Sequence, residues 1–438
     1  ISPRPRNPFL FPIATVQKKK MDPTKNKIFG TDGVRGRANI EPVTAETSLK
    51  LGRAAAHVFK DLNPESRSRH RHQIVIGKDT RLSGYLIENA LASGILSMGV
   101  DVLFIGPLPT PGVARITHSL RADAGIVITA SHNPYDDNGI KFFRHDGYKL
   151  DDTIEQQIEN LVFSGEIDHV RPTAGEIGKA VRIDDALGRY VEFAKRSFPR
   201  GQTLEGVTIV VDCAHGAAYK ATPCVLRELG AEVIVYGNRP DGTNINAGCG
   251  STHPQSLQAV VRDGEYDLGV ALDGDADRCI LVDERGELVH GDGIMTVIAR
   301  WRMTHLPYED PRIVATVMSN RGLHRALREV GVGVVTVDVG DRQVVEALRR
   351  ERLDLGGEQS GHIIFGSDHA FIGDGTYTAL RILRVLQTED APLSTLASPY
   401  QEFPQVLLNV PVASKPALEG FNALNDRALL HEGELGED

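Results

Sequence analysis

The stretch Ala124-Gly125-Ile126-Val127-Ile128-Thr129-Ala130-Ser131-His132-Asn133-Pro134, running on through Asp136-Asp137-Asn138-Gly139 to Ile140-Lys141, decides how this chain folds. Its first five residues form a short apolar run with the character of a buried strand. The Asn, Pro, Asp and Gly residues that follow are turn formers, so Ser131 is placed on a loop just past the strand's carboxyl end. Open α/β sheets bind their ligands at that edge.

Working outward, strands and helices alternate. The pattern predicts a helix over 44–60, a strand over 74–77, a helix over 85–98, a strand over 100–105 and a helix after Pro111. Alternation of this kind implies a parallel sheet covered on both faces. Before it, Phe29-Gly30-Thr31-Asp32-Gly33-Val34-Arg35-Gly36 reads as a glycine-rich turn ending in a cation. The cycle then recurs, with helices over 153–163 and 184–198, a strand over 207–212, a helix from Ala217 and a strand over 232–236. A further cycle has a strand over 312–316 and helices beginning near Asn320 and Asp341. A tail from Thr376 holds a helix, a Pro-containing linker and a strand over 406–412. Boundaries are expected near 180, 290 and 380.

The 438 residues are 41% hydrophobic and 24% charged, enough material for several cores. With a net charge of -9 the chain has no global basic field to recruit nucleic acid or anionic lipid. No stretch reaches the ~18 apolar residues of a membrane span. The cysteines Cys213, Cys224, Cys249 and Cys279 contain no C-x-x-C pair, and the expected compartment is a reducing cytoplasm. The segment 9–16 is apolar but short, broken by Pro12 and followed by three lysines, which is a poor signal peptide. Residues 1–26 are read as a leader outside the fold, with a start expected near Met21.

A second chemical feature is Asp273-Gly274-Asp275-Ala276-Asp277-Arg278, between the apolar runs 269–272 and 279–282. Three alternate carboxylates repel one another unless a cation sits among them, and all-oxygen ligation selects a hard ion such as Mg²⁺ or Ca²⁺. An EF-hand loop fits the count of carboxylates, but its sixth position needs glycine and carries Arg278, and both flanks are strand-like. Ser131 next to His132 raises hydrolase chemistry; however, the G-x-S-x-G elbow is absent, and adjacent side chains on extended backbone point apart. A hydroxyl beside a triple-Asp metal loop points instead to phosphoryl transfer. Gly357-Glu358-Gln359-Ser360-Gly361-His362 offers hydrogen-bonding side chains suited to sugar hydroxyls. Arg35, Lys78, Arg81, Lys141, Arg278 and Arg342 are the cations near glycine-rich loops that could hold a phosphate.

Taken together, residues 29–36, 129–134 with Lys141, 241–253, 273–278 and 356–362 resemble the α-D-phosphohexomutase family over about Lys27 to Asp438. The 241–253 loop and the Gly-Glu-Gln-Ser-Gly-His form point to its glucosamine branch. The resemblance implies an α/β fold of three consecutive domains with mixed or parallel sheets around a central cleft, plus a smaller C-terminal α+β domain. The spans expected are 27–180 with the serine loop, 181–290 with the metal loop, 291–380 with the sugar loop, and 381–438 as a partial phosphate-binding domain. It also implies that Ser131 is phosphorylated and that Asp273, Asp275 and Asp277 hold Mg²⁺ together with a Ser131 phosphate oxygen. Arg35, His132, Lys141, Arg278 and His362 would assist proton transfer or stabilise the moving phosphoryl, while Glu358, Ser360 and Arg342 would bind the sugar phosphate.

The implied reaction interconverts glucosamine 6-phosphate and glucosamine 1-phosphate through a hexosamine bisphosphate. A homodimer and domain movement are further family traits. Mannose or glucose phosphates are the alternative substrates, and a catalytically silent sugar-phosphate binder or a phosphatase the alternative functions. The family closes its fourth domain with an Arg-x-Ser-Gly-Thr-x-Pro loop that does not occur before Glu437-Asp438, so the chain is expected to stop partway through that domain. His215 and Gln343 stand where the family pattern has Asn and an aromatic.

Overall fold

In a computed structural model, residues 27–30, 32–62, 71–306, 309–366, 369 and 371–406 are described. The leader 1–26, the expected tail strand after Val406 and the rest of the expected C-terminal domain lie outside them. All elements named below belong to one compact unit ending at Glu402.

The first sheet is built from β1 (Phe29–Gly30), β2 (Gly33–Arg37), β3 (Gln73–Lys78), β4 (Asp101–Pro107), β5 (Ala124–Ile128), β6 (Asp137–Arg144) and β7 (Ala180–Arg182). They lie in the order β1-β2-β6-β5-β3-β4-β7. Helices α1 (Ala45–Leu62), α2 (Gly84–Leu96), α3 (Thr110–Ser119) and α4 (Asp152–Ser164) connect and cover them. Successive strand residues face opposite layers. Ile74, Ile76, Ile126 and Ile128 therefore pack with Leu51, Leu91 and Ile158 in one core, while Val75 and Val127 pack with Val113, Ile116 and Tyr190 in another.

The central strands β3, β4 and β5 are parallel, as the alternation predicts. β7 is also parallel to β4, whereas β1, β2 and β6 run antiparallel to their neighbours. The stretch read as a glycine-rich turn forms β1 and β2, and β2 pairs antiparallel with β6, Val34 opposite Ile140 and Arg35 opposite Gly139. Gly33 and Gly36 in β2 and Asp137, Asn138 and Gly139 in β6 are poor strand formers. Pairing over about a hundred residues outweighs the local turn signal, and it carries Arg35 and Lys141 to the edge of the serine loop.

The second sheet contains β8 (Thr208–Asp212), β9 (Glu232–Tyr236), β10 (Leu268–Leu272), β11 (Cys279–Val282) and β12 (Leu288–Val289), with α5 (Ala186–Lys195), α6 (Ala221–Glu228) and α7 (Gln255–Asp263). Its order is β12-β11-β10-β8-β9. β10 and β11 form a hairpin that closes on Leu272 opposite Cys279, so the Asp273 to Arg278 segment is the tip of two buried strands.

The third sheet, ordered β14-β13-β15-β16, comprises β13 (Arg312–Thr316), β14 (Gly333–Val337), β15 (Leu355–Gly357) and β16 (Ile363–Phe365). Packed around it are α8 (Gly291–His305), α9 (Arg321–Arg328), α10 (Asp341–Glu351), α11 (Gly375–Glu389) and α12 (Leu393–Ala397). Its own hairpin, Gly357 opposite Ile363, has residues 358–362 at the tip. Among the described residues, no helix is long and apolar enough to cross a membrane.

Candidate active site

Ser131 follows the end of β5 by three residues, is 1% exposed and has φ +52°, a left-handed conformation uncommon for a non-glycine residue. The surroundings hold it there. Its N–H donates to Thr129 Oγ1 at 2.9 Å, and its carbonyl accepts from Arg81 Nη2 and Asn246 Nδ2, each at 2.9 Å. Arg81 follows the carboxyl end of β3. It is buried with Asp79, to which Nε donates at 2.9 Å, and its remaining N–H groups reach the carbonyls of Asn133, Pro134 and Asp137. Arg81 thus clamps the loop backbone; it is not a free phosphate-holding cation. Lys78 is likewise committed, to buried Glu88.

The Ser131 hydroxyl donates to Asp273 Oδ2 at 2.6 Å. Asp273, Asp275 and Asp277 are all buried, with ligand oxygens within 4.8 Å of one another. The Cβ that a residue other than glycine would carry at 274 would come within 2.6 Å of the Ser131 carbonyl, so the two loops touch backbone to backbone. Asp275 Oδ2 accepts from Thr110 Oγ1 at 2.7 Å, while Asp275 Oδ1 and Asp277 Oδ1 are buried with no hydrogen-bond partner. Burial, reinforced by Asp277 and Asp275, pushes the Asp273 carboxyl well above its ordinary range. Crowded carboxylates with orphaned oxygens fit a hard divalent ion such as Mg²⁺.

Cations ring this cluster. Lys141, 2% exposed on β6, lies 2.9 Å from Asp32, 3.1 Å from Asp275 and 3.6 Å from Asp277. Burial alone would lower its pKa, but Asp275, Asp32 and Asp277 outweigh that and raise it, so it stays an ammonium. Arg35 pairs with Asp32, and Arg278 Nε lies 4.0 Å from Asp277. His362 sits 3.7 Å from Asp277 and 3.8 Å from Asp341, ion-pair rather than hydrogen-bond distances. Against the opposing effect of burial, these carboxylates raise its pKa to about 9.

His132 departs from expectation. The left-handed turn at Ser131 abolishes the extended geometry that would separate the two side chains, and His132 Nδ1 lies 3.4 Å from Ser131 Oγ. Burial, with Arg278 and Arg35 nearby, pushes its pKa down to about 4, so the ring is neutral at pH 7.

In the third hairpin tip, Ser360 is exposed and Glu358 half-buried, its Oε1 accepting from Gly340 N–H at 3.0 Å. The tip is pinned by Cys279 N–H donating to Gly361 O at 2.9 Å and Gly291 N–H to Gln359 O at 3.0 Å. Arg342 is drawn away, donating to Leu150 O at 2.7 Å and pairing with Asp152 and Glu155. Sequence reasoning did not single out Asp32, Asp79, Thr110, Lys149, Asn246 or Asp341. For Asp79 a signal existed, since it sits directly past the carboxyl end of β3; the others are brought in by tertiary packing.

The phosphoglucomutase/phosphomannomutase α/β/α domain models match residues 26–168 (domain I), 188–286 (domain II) and 290–403 (domain III). The chain belongs to the α-D-phosphohexomutase family. Phosphohexomutase relatives include a phosphoglucosamine mutase of Syntrophotalea carbinolica, 59% identical over 391 residues (89% of this chain, 84% of that protein). Another, from Geotalea daltonii, is 55% identical over 415 residues (93% and 90%). Among solved structures, a phosphoglucomutase/phosphomannomutase family protein from Burkholderia thailandensis superposes with a TM-score of 0.71 at 28% identity, covering 86% of this chain and 80% of that one.

Proposed function

We propose that this chain is a phosphoglucosamine mutase that interconverts glucosamine 6-phosphate and glucosamine 1-phosphate, an intramolecular phosphotransferase supplying precursors for UDP-N-acetylglucosamine and the cell wall. The observation that carries the chemistry is the Ser131 hydroxyl, held 2.6 Å from Asp273 in a buried triple-carboxylate cluster. The sugar assignment is supported by relatives of that name at 55–59% identity over most of the chain.

Ser131 is the phosphoryl carrier. Asp273, Asp275 and Asp277, with a Ser131 phosphate oxygen, are the residues that would hold Mg²⁺, which neutralises phosphoryl oxygens when bound. The sugar hydroxyl attacks the phosphorus in line with Ser131 Oγ, its new P–O bond forming as the bond to Oγ breaks; the sugar hydroxyl gives up its proton and the departing Ser131 oxygen takes one up. His132, uncharged and beside Ser131 Oγ, lies on the serine side of the phosphorus and suits proton transfer at that oxygen, taking the serine proton when the bisphosphate returns a phosphoryl; Lys141, held as an ammonium, suits charge stabilisation instead. The resulting hexosamine bisphosphate reorients and returns its other phosphoryl to Ser131. Arg35, Arg278 and His362 line the transfer path, and Glu358 and Ser360 read the sugar hydroxyls.

Arg342 buttresses the sugar-phosphate side from its anchorage on α4. The same reading divides the chain near 180, 290 and 380, and places a cytoplasmic enzyme that could pair as a homodimer.

Ser131→Ala is expected to abolish mutase turnover on glucosamine 6-phosphate, and intact mass should show one phosphate on the active wild type. Full turnover by the variant would sink the proposal. Comparing glucosamine, glucose and mannose phosphates fixes the sugar. Mg²⁺ should raise the melting temperature of the wild type and lose that effect in Asp275→Asn, a readout independent of activity.

A further inference from the structure

Six alternating charges close a ring at the site: Asp277, Lys141, Asp32, Lys149, Asp341 and His362. Lys141 lies 3.6 Å from Asp277 and 2.9 Å from Asp32. Lys149 donates to Asp32 at 2.6 Å and pairs with Asp341 on its other side. Asp341 and Asp277 flank His362 at 3.8 and 3.7 Å. The members come from all three sheet regions: Asp32, Lys141 and Lys149 from the first, Asp277 from the second, Asp341 and His362 from the third. Lys149 touches neither a metal-cluster carboxylate nor His362, yet its ammonium separates two carboxylates, Asp32 and Asp341, contributed by different regions. Without it, these carboxylates face each other with no cation between them, and like charges in a partly buried setting repel. Asp32 is a ligand of Lys141, and Asp341 of His362, so displacement of either carboxylate shifts a cation bordering the phosphoryl path.

We propose that Lys149 is a positioning residue of the mutase, bridging Asp32 and Asp341 so that Lys141 and His362 are held at the metal loop from opposite sides. This rests on the mutase reading above. Lys149 acts through its neighbours and does not touch the reacting atoms. Its removal therefore affects transition-state stabilisation more than substrate capture, and sub-ångström to 1 Å misplacement of such groups costs about 10²-fold in rate. Its role is one of charge geometry, so arginine should substitute for it, and removing the stranded carboxylate should relieve part of the damage.

The test measures kcat and KM on glucosamine 6-phosphate, primed with hexose bisphosphate, for the full chain as wild type, K149M, K149R and the neutral pair K149M/D341N. The expected result is a kcat about 10²-fold lower in K149M with KM changed less than about threefold. K149R should recover most of the loss, and the double variant should turn over faster than K149M alone. A K149M kcat within about twofold of wild type overturns the proposal, as does equal impairment of K149M and K149R. If K149M gives no cooperative melt, the other two variants decide: a double variant with wild-type kcat refutes the bridge, and a depressed one beside an active K149R supports it. Wild type that is inert on glucosamine phosphates refutes the functional reading itself, a failure distinct from an active wild type indifferent to Lys149.

Discussion

Two hairpin-borne or strand-borne loops meet at this site, and they are built in opposite ways. The Ser131 loop is buried, carries a left-handed residue and has its carbonyls tied down by Arg81 and Asn246 from two different sheets. The 358–362 tip is fixed through its backbone, but it leaves Ser360 exposed and Glu358 half-exposed. The contrast follows from the tasks proposed for them. A group that exchanges a phosphoryl must already be in place, because reorganisation at that moment adds to the barrier. A reader of hydroxyls can leave its donors in water until the sugar arrives.

The contrast can be broken first at Arg81. Arg81→Met strands the fully buried Asp79 carboxylate and removes a donor from each of four carbonyls, so urea unfolding should show a loss of ~3–5 kcal/mol, with phosphate on Ser131 lost as well. Asn246→Ala removes one of two donors to the Ser131 and Asn133 carbonyls; with Arg81 still bound there, the expected loss is about 1 kcal/mol, at the low end for buried unsatisfied groups. Ser360→Ala should leave the unfolding free energy within ~0.5 kcal/mol of wild type. Its effect should fall on KM for the sugar phosphate, by up to about tenfold for one hydrogen bond. A Ser360→Ala protein destabilised as much as Asn246→Ala would erase the distinction.

The mildest test is pH. His362 has a folded-state pKa of about 9, above its ordinary 6.5, because Asp277 and Asp341 overcome burial. Its contribution to stability is complete below about 6.5 and is lost as pH rises through about 9. In EDTA-treated protein its ring resonances should titrate near pH 9, Asp341→Asn should move that midpoint down, and the melting temperature should fall between pH 7 and 10.

Much of the fold and the site is legible in the sequence, for identifiable reasons. Glu232–Tyr236 and Arg312–Thr316 are runs whose local pattern and final environment agree, and their limits can be read to the residue. The carboxylate loop is equally readable, since three alternating Asp between apolar runs repel one another until a cation joins them. β2 and β6 are not, because Gly33, Gly36, Asn138 and Gly139 signal turns locally and become strand only through pairing with each other. The relation of His132 to Ser131 depends on one φ angle that no pattern announces. Lys149 and Asp341 are hidden for another reason: each is an ordinary surface charge until the first and third sheets bring them together.

Gly274 carries a further consequence. With no Cβ between its backbone and the Ser131 carbonyl, the carboxylate tip lies directly against the serine loop, and any larger residue there would force the two apart. Any motion of one loop against the other would have to break this backbone contact first.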